Sequence, residues 1–183
     1  SKPIHLVVIS SLLLVVFLIA KTYSIKEPLT VLLFFKEAGL FLVCLLSLFV
    51  LDFFVSKNNL TKKNSYKILL FGLCIMVLPE ALLNSKILLA NLFVLLALRR
   101  IVSLRTQKDI KKKLFDAAFW ITVASLLYFW SVLFFILIFA ALILYTILDV
   151  KNWMIPLVGL LSVLIIAASY MIVMHLDFEN YWN

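Results

Sequence analysis

The chain has 183 residues, two thirds of them apolar, with sixteen Phe, only three Gly and a formal charge of +8. Mean hydropathy is +1.18, and a soluble domain, about 45 to 50% apolar, could not hide that much surface from water. The positive charge comes with no aromatic-basic interleaving and no zinc pattern, which sets nucleic acid aside and points to the basic loops of a polytopic membrane protein.

Pro3 to Ala20 has only His5 and two serines as polar interruptions and predicts a first span, retained because no cleavage site and soluble domain follow it. Lys21 to Thr30 contains Pro28 and predicts the first loop. Val31 to Val55 is the second apolar run. Lys36 and Glu37 near its start are placed at the membrane surface, leaving Leu40 to Val55 as the buried part. A basic turn around Asn58 and Asn59 follows. Ile68 to Leu78 and Ile87 to Leu98 predict two short spans, a broken helix or shielded hairpin about Pro79.

Arg99 to Lys113 holds seven of the seventeen Lys and Arg residues, against one acid, Asp109. Such a cluster stays out of hydrocarbon and prefers the cytoplasmic side. Leu114 to Leu148 is thirty-five residues with Asp116 as its sole charge. As one helix it would be about 52 Å long against a hydrocarbon core of about 30 Å, so a turn is predicted near Tyr128-Phe129-Trp130-Ser131. Trp153 to Met174 predicts the last span, with Pro156 near its first turn.

The expected architecture is an all-α transmembrane bundle of about seven spans, six if Leu114 to Leu148 is one helix, with some helices short or broken. Residues 1–183 read as a single transmembrane domain. With the N-terminus cytoplasmic, thirteen basic residues lie inside and four, Lys21, Lys26, Lys36 and Lys86, outside. The last residues, HLDFENYWN, stop just after a span without a tail, as the N-terminal part of a longer protein would.

Residues able to carry chemistry are few. HExxH, GxSxG and glycine-rich phosphate loops are all lacking, and Gly39, Gly72 and Gly159 form no GxxxG face for tight helix pairing. Glu27, Glu37 and Glu80, on the predicted outer side, are the candidate acids or bases, and Glu80 stands out because it follows Pro79 inside an apolar stretch. Arg99, Arg100, Arg105, Lys111, Lys112 and Lys113 are the candidate lipid or phosphate contacts, with topology signalling as the simpler role. Asp116 lies one helical turn from Lys113 and is its expected partner. His5 and His175, at opposite ends, suggest no metal site, and Cys44 and Cys74 read as packing or lipid-facing side chains. Cofactors are not expected.

The stretches LLANLFVLLALRRIVSLRT, KKKLFDAAFWITVASLLYFW, NSYKILLFGL and KNWMIPLVGLL resemble an uncharacterised family of polytopic membrane proteins from Bacteroidota, over essentially the whole chain. The resemblance implies an inner-membrane location in the cell envelope and implies no activity. A remoter likeness is to membrane-embedded glycosyltransferases and O-antigen polymerases, which place an acid in the first outer loop, where Glu27 stands here without a second acid beside it.

Two roles therefore stay open. One is a non-catalytic subunit or scaffold of an envelope complex, with membrane lipids and a membrane-protein partner. The other is an enzyme handling polyprenyl-phosphate-linked glycans through Glu80 or Glu27, with Arg99 and Arg100 on phosphate; a transporter is a weaker third.

Overall fold

The computed structural model describes residues 3–24, 30–61, 66–147 and 149–174. Among these, all regular structure is helical: α1 (Pro3–Ser24), α2 (Val31–Lys57), α3 (Tyr66–Val77), α4 (Pro79–Leu83), α5 (Ser85–Ser103), α6 (Ile110–Leu127), α7 (Phe135–Leu144) and α8 (Val150–Val173). Short 3-10 segments extend α5 over Leu104–Thr106 and lead into α7 over Phe129–Phe134. Among the described residues, three stretches are long and apolar enough to cross a membrane, Val31–Lys57, Ser85–Thr106 and Val150–Val173. The chain divides into two compact units, Ser1–Arg99 and Arg100–Asn183.

In the first unit the core follows helical spacing. Ile9, Leu13 and Phe17 form a buried stripe on α1 at intervals of four, and Leu40, Cys44 and Leu48 form its counterpart on α2, with Ile68, Ile75, Leu82 and Leu88 closing the cluster. The buried side chains of α2 begin at Leu40 and end at Val55. α2 starts where Thr30 accepts a hydrogen bond from the Leu33 N–H. It ends at Asn58, whose side chain donates to the Phe54 carbonyl.

Two boundaries differ from the sequence reading. Lys21 is not in the first loop: α1 continues to Ser24 and buries Lys21 to 8% exposure, on the same stripe as Phe17. α5 is longer than the span expected over 87–98, because it starts at Ser85, beside the Asn84 side chain that accepts from Lys86 N–H, and runs through both arginines to Ser103. The expected break at Pro79 is present, as a short α4 separated from α3 by Leu78.

The second unit is organised by α6 against α8. Leu114, Ala117, Ala118, Ile121 and Thr122 make the buried face of α6, and Asn152, Pro156, Gly159 and Val163 make that of α8. The absence of GxxxG does not prevent tight pairing. A Cβ on Gly159 would lie 2.8 Å from the Ala118 Cβ and 3.1 Å from the Phe115 carbonyl oxygen, so a single glycine facing alanine lets the backbones approach. Pro156 lies inside α8 rather than in its first turn, and it withholds the N–H that would bond the Asn152 carbonyl. The predicted turn in the long apolar run is there: α6 ends at Tyr128, which is extended, before the 3-10 segment. Its rings at Tyr128, Phe129 and Trp130 are exposed.

Candidate functional site

The charged residues singled out from the sequence fall at three places. In the first unit, Lys21 Nζ lies 3.0 Å from Glu37 Oε2, with side chains only 10% and 17% exposed. The approach lies off a hydrogen-bonding direction, so Glu37 Oε2 accepts no hydrogen bond and the contact is charge on charge. Lys21 also donates to the Leu83 carbonyl at 3.4 Å and lies 5.6 Å from the centre of the Phe17 ring. Glu37 is thus not a free surface acid beside Lys36. It extends the inward stripe of α2 by one turn, as Lys21 extends that of α1. A partner this dry is worth little against an apolar pair but costly to remove singly. Glu80 lies on α4 with its side chain outside the description, as is that of His5; Glu27 and His175 lie outside the described residues.

At the other end of the first unit, Lys67 pairs with Asp52 at 2.8 Å and donates to the Ser56 hydroxyl. The Arg99 guanidinium stacks 4.9 Å from the centre of the Phe53 ring, and Lys57 Nζ lies 5.4 Å from the same ring.

In the second unit, Arg100 pairs with Asp116 at 3.0 Å. Asp116 therefore has its partner on another helix, rather than Lys113 alone as the sequence suggested. Lys113 donates to the Ser103 carbonyl at 2.8 Å and the Thr106 hydroxyl at 2.7 Å, which satisfies the C-terminal end of α5 with a positive charge. Of the six predicted phosphate contacts, Arg99, Arg100 and Lys113 thus hold internal partners, whereas Arg105, Lys111 and Lys112 are exposed.

A groove opens beside these exposed lysines. Two adjoining depressions, of about 480 and 440 Å³, share Gln107, Ile110, Asp149 and Asn152. Gln107 Nε2 donates to the Tyr145 carbonyl at 3.2 Å and so joins the segment before α6 to the one before α8. Trp153 Nε1 donates to the Ile147 carbonyl at 3.1 Å and fixes the start of α8. Among the described residues, three of the four non-glycine residues with positive φ border this groove: Gln107, Asp109 and Thr146, at 50°, 51° and 55°. Such backbone is uncommon and gathers where a chain is held to a particular shape.

The polar groups here are not arranged for their own helices. Asp109 and Asp149 stand at the N-cap positions of α6 and α8, where a carboxylate ordinarily accepts from the first turn, and neither makes a side-chain cap. Asn152 is 6% exposed, and its Oδ1 has no hydrogen-bond partner among the described residues. A buried amide oxygen left so costs about 1–3 kcal/mol. The groove thus offers carboxylate and amide oxygens flanked by Lys111 and Lys112. Sequence reading missed its second half. The available signal was Asp149 and Asn152 at the first turn of a span whose Pro156 removes a backbone donor. Among the described residues, no group of three or more His, Cys, Asp or Glu side chains gathers as a metal site.

Among the described residues, these features define a helical protein with three membrane-length helices, internal ion pairs in both units and a polar groove in the second. Compared with protein-family models, curated proteins and solved structures, the chain matches none of them.

Proposed function

We propose that this chain is a non-catalytic integral subunit that anchors a partner or assembly in a bacterial inner membrane, crossing it seven times with its N-terminus cytoplasmic. The observation that carries this reading is how the described charges are used. Glu37, Asp52 and Asp116 are each tied to a cation within their own unit, while Arg105 and Lys108, before α6, and Lys111 and Lys112, in its first turn, remain exposed. Ion pairs of that kind hold helices together. Exposed cations beside a membrane-length helix attract anionic headgroups or an acidic face of a partner.

The length of one of the shorter segments suits a crossing. The 3-10 segment and α7 cover 129–144. At about 2.0 Å per residue for the first six and 1.5 Å for the rest, they extend about 27 Å, near the hydrocarbon thickness of about 30 Å. The outward face of α8, including Leu161, Leu164, Ile165, Ile166 and Ile172, is apolar and exposed. That face suits lipid or a neighbouring membrane helix.

The test is purification from native membrane in mild detergent, with quantification of every co-purifying protein. The expected result is one membrane protein at fixed stoichiometry, with its yield reduced by Arg105→Gln, Lys108→Gln, Lys111→Gln and Lys112→Gln combined. A chain that elutes alone and monomeric would sink the proposal. Arrest of cellular glycan synthesis by Glu27→Gln or Glu80→Gln would replace it with the enzyme reading.

A further inference from the structure

We propose that the groove between the first turns of α6 and α8 binds a phosphoethanolamine lipid headgroup, its ammonium on the oxygens of Asp109, Asp149 and Asn152 and its phosphate beside Lys111 and Lys112. This rests on the membrane reading, which puts the groove at the lipid–water boundary. The starting observation is Asn152. Its side chain is buried, its Oδ1 lacks a donor, and it lines both depressions of the groove. The terminal torsion of an asparagine is soft, so rotation of the amide can bring that oxygen to the groove. There it needs an N–H or O–H donor.

Charge narrows the donor's identity. The two carboxylates on the groove, Asp109 and Asp149, cap neither α6 nor α8, so both remain as acceptors beside Asn152. Two anionic acceptors and one neutral one match a primary ammonium, which carries three N–H donors and a positive charge. The opposite charge has its own seat. The first-turn N–H groups of α6 receive no side-chain cap, and Lys111 and Lys112 rise from that turn. A helix N-terminus flanked by lysines favours a phosphate. A bare divalent cation would also take hard oxygens, but it leaves both lysines unanswered and is small for about 440 to 480 Å³.

The experiment uses the full chain, delipidated in detergent and then offered equal amounts of phosphatidylethanolamine, phosphatidylcholine and phosphatidylglycerol with identical acyl chains. Native mass spectrometry reads the lipid retained. Phosphatidylcholine is the decisive comparison because it keeps both charges and lacks every N–H donor. The expected result is retention of phosphatidylethanolamine over phosphatidylcholine by about tenfold, the worth of a charge-assisted hydrogen bond. Asn152→Leu and the double variant Asp109→Asn/Asp149→Asn should each erase that preference, and Lys111→Gln/Lys112→Gln should weaken both lipids alike. Should Asn152→Leu fail to fold, the double variant decides, since its two positions are exposed.

Equal retention of phosphatidylethanolamine and phosphatidylcholine, with phosphatidylglycerol strongest, would overturn the proposal in favour of a diffuse basic surface. A preference that EDTA abolishes would overturn it in favour of a divalent cation. A preference unchanged in the double variant would place the ammonium elsewhere. Resistance to carbonate extraction reads membrane insertion separately. A chain that is extracted fails with the membrane reading, whereas one that is retained and does not discriminate sinks the groove alone.

Discussion

The two units solve the same packing problem differently. In the first, large side chains interlock: Ile9, Leu13 and Phe17 on α1 meet a core that includes Leu40, Leu48, Ile68 and Leu82, and the Phe17 and Phe41 rings lie 5.6 Å apart. In the second, Gly159 of α8 faces Ala118 and the Phe115 carbonyl of α6, so the backbones come close. Charge follows the same division. The first unit carries one of its two described ion pairs on the inward stripes, at Lys21 and Glu37, while the second keeps Asp109 and Asp149 at the rim of a groove and pairs Arg100 where it is 39% exposed. Bulky interdigitation can enclose a charge. A close backbone crossing leaves no room for one.

The sharpest way to break that contrast is to remove one partner of the enclosed pair. Lys21→Met should destabilise the first unit by about 3–5 kcal/mol, because the Glu37 carboxylate is left uncompensated in a dry site. Lys21→Met combined with Glu37→Met should recover most of that loss. Unfolding titrations in mixed micelles measure both. A single variant costing less than about 1 kcal/mol would mean the pair is solvated and the contrast wrong.

Next in size are the glycines, which test backbone approach directly. Gly159→Val meets the Ala118 Cβ and the Phe115 carbonyl, neither of which can swing away, and should cost about 1–3 kcal/mol. Gly72→Ala, in the first unit, meets only the Ile9 Cγ2 at 2.9 Å. That methyl belongs to a side chain that can change rotamer, at about 0.5–1.5 kcal/mol. Equal costs at the two positions in the same titration would show that both units pack alike.

Much of this was legible in the sequence because apolar runs and breakers act locally. The break at Pro79 and the turn at Tyr128 follow from proline and aromatic residues alone. What was not legible depends on direction around a helix and on distant partners. A lysine after an apolar run resembles a span end, which points Lys21 to a loop, although its spacing of four from Phe17 puts it on the buried stripe. Nearness in sequence points Asp116 to Lys113, whereas its ion pair with Arg100 spans sixteen positions and needs the chain reversal after α5. The groove needed two loops brought together, at 107–112 and 146–152, and neither loop signals the other.

The smallest effect is expected at Arg100 and Asp116, and it sharpens the comparison from the second unit's side. The pair is close, 3.0 Å, but solvent reaches Arg100 at 39% and Asp116 at 23%. Screening then holds its worth to at most about 1 kcal/mol. Arg100→Gln and Asp116→Asn should each lower stability by no more than that, the double variant should cost little beyond either single change, and 0.5 M salt should remove most of the difference. The Lys21–Glu37 pair, shielded from ions, should keep its full effect at the same salt. If the two pairs responded to salt equally, the enclosure of charge by the first unit would not distinguish it from the second.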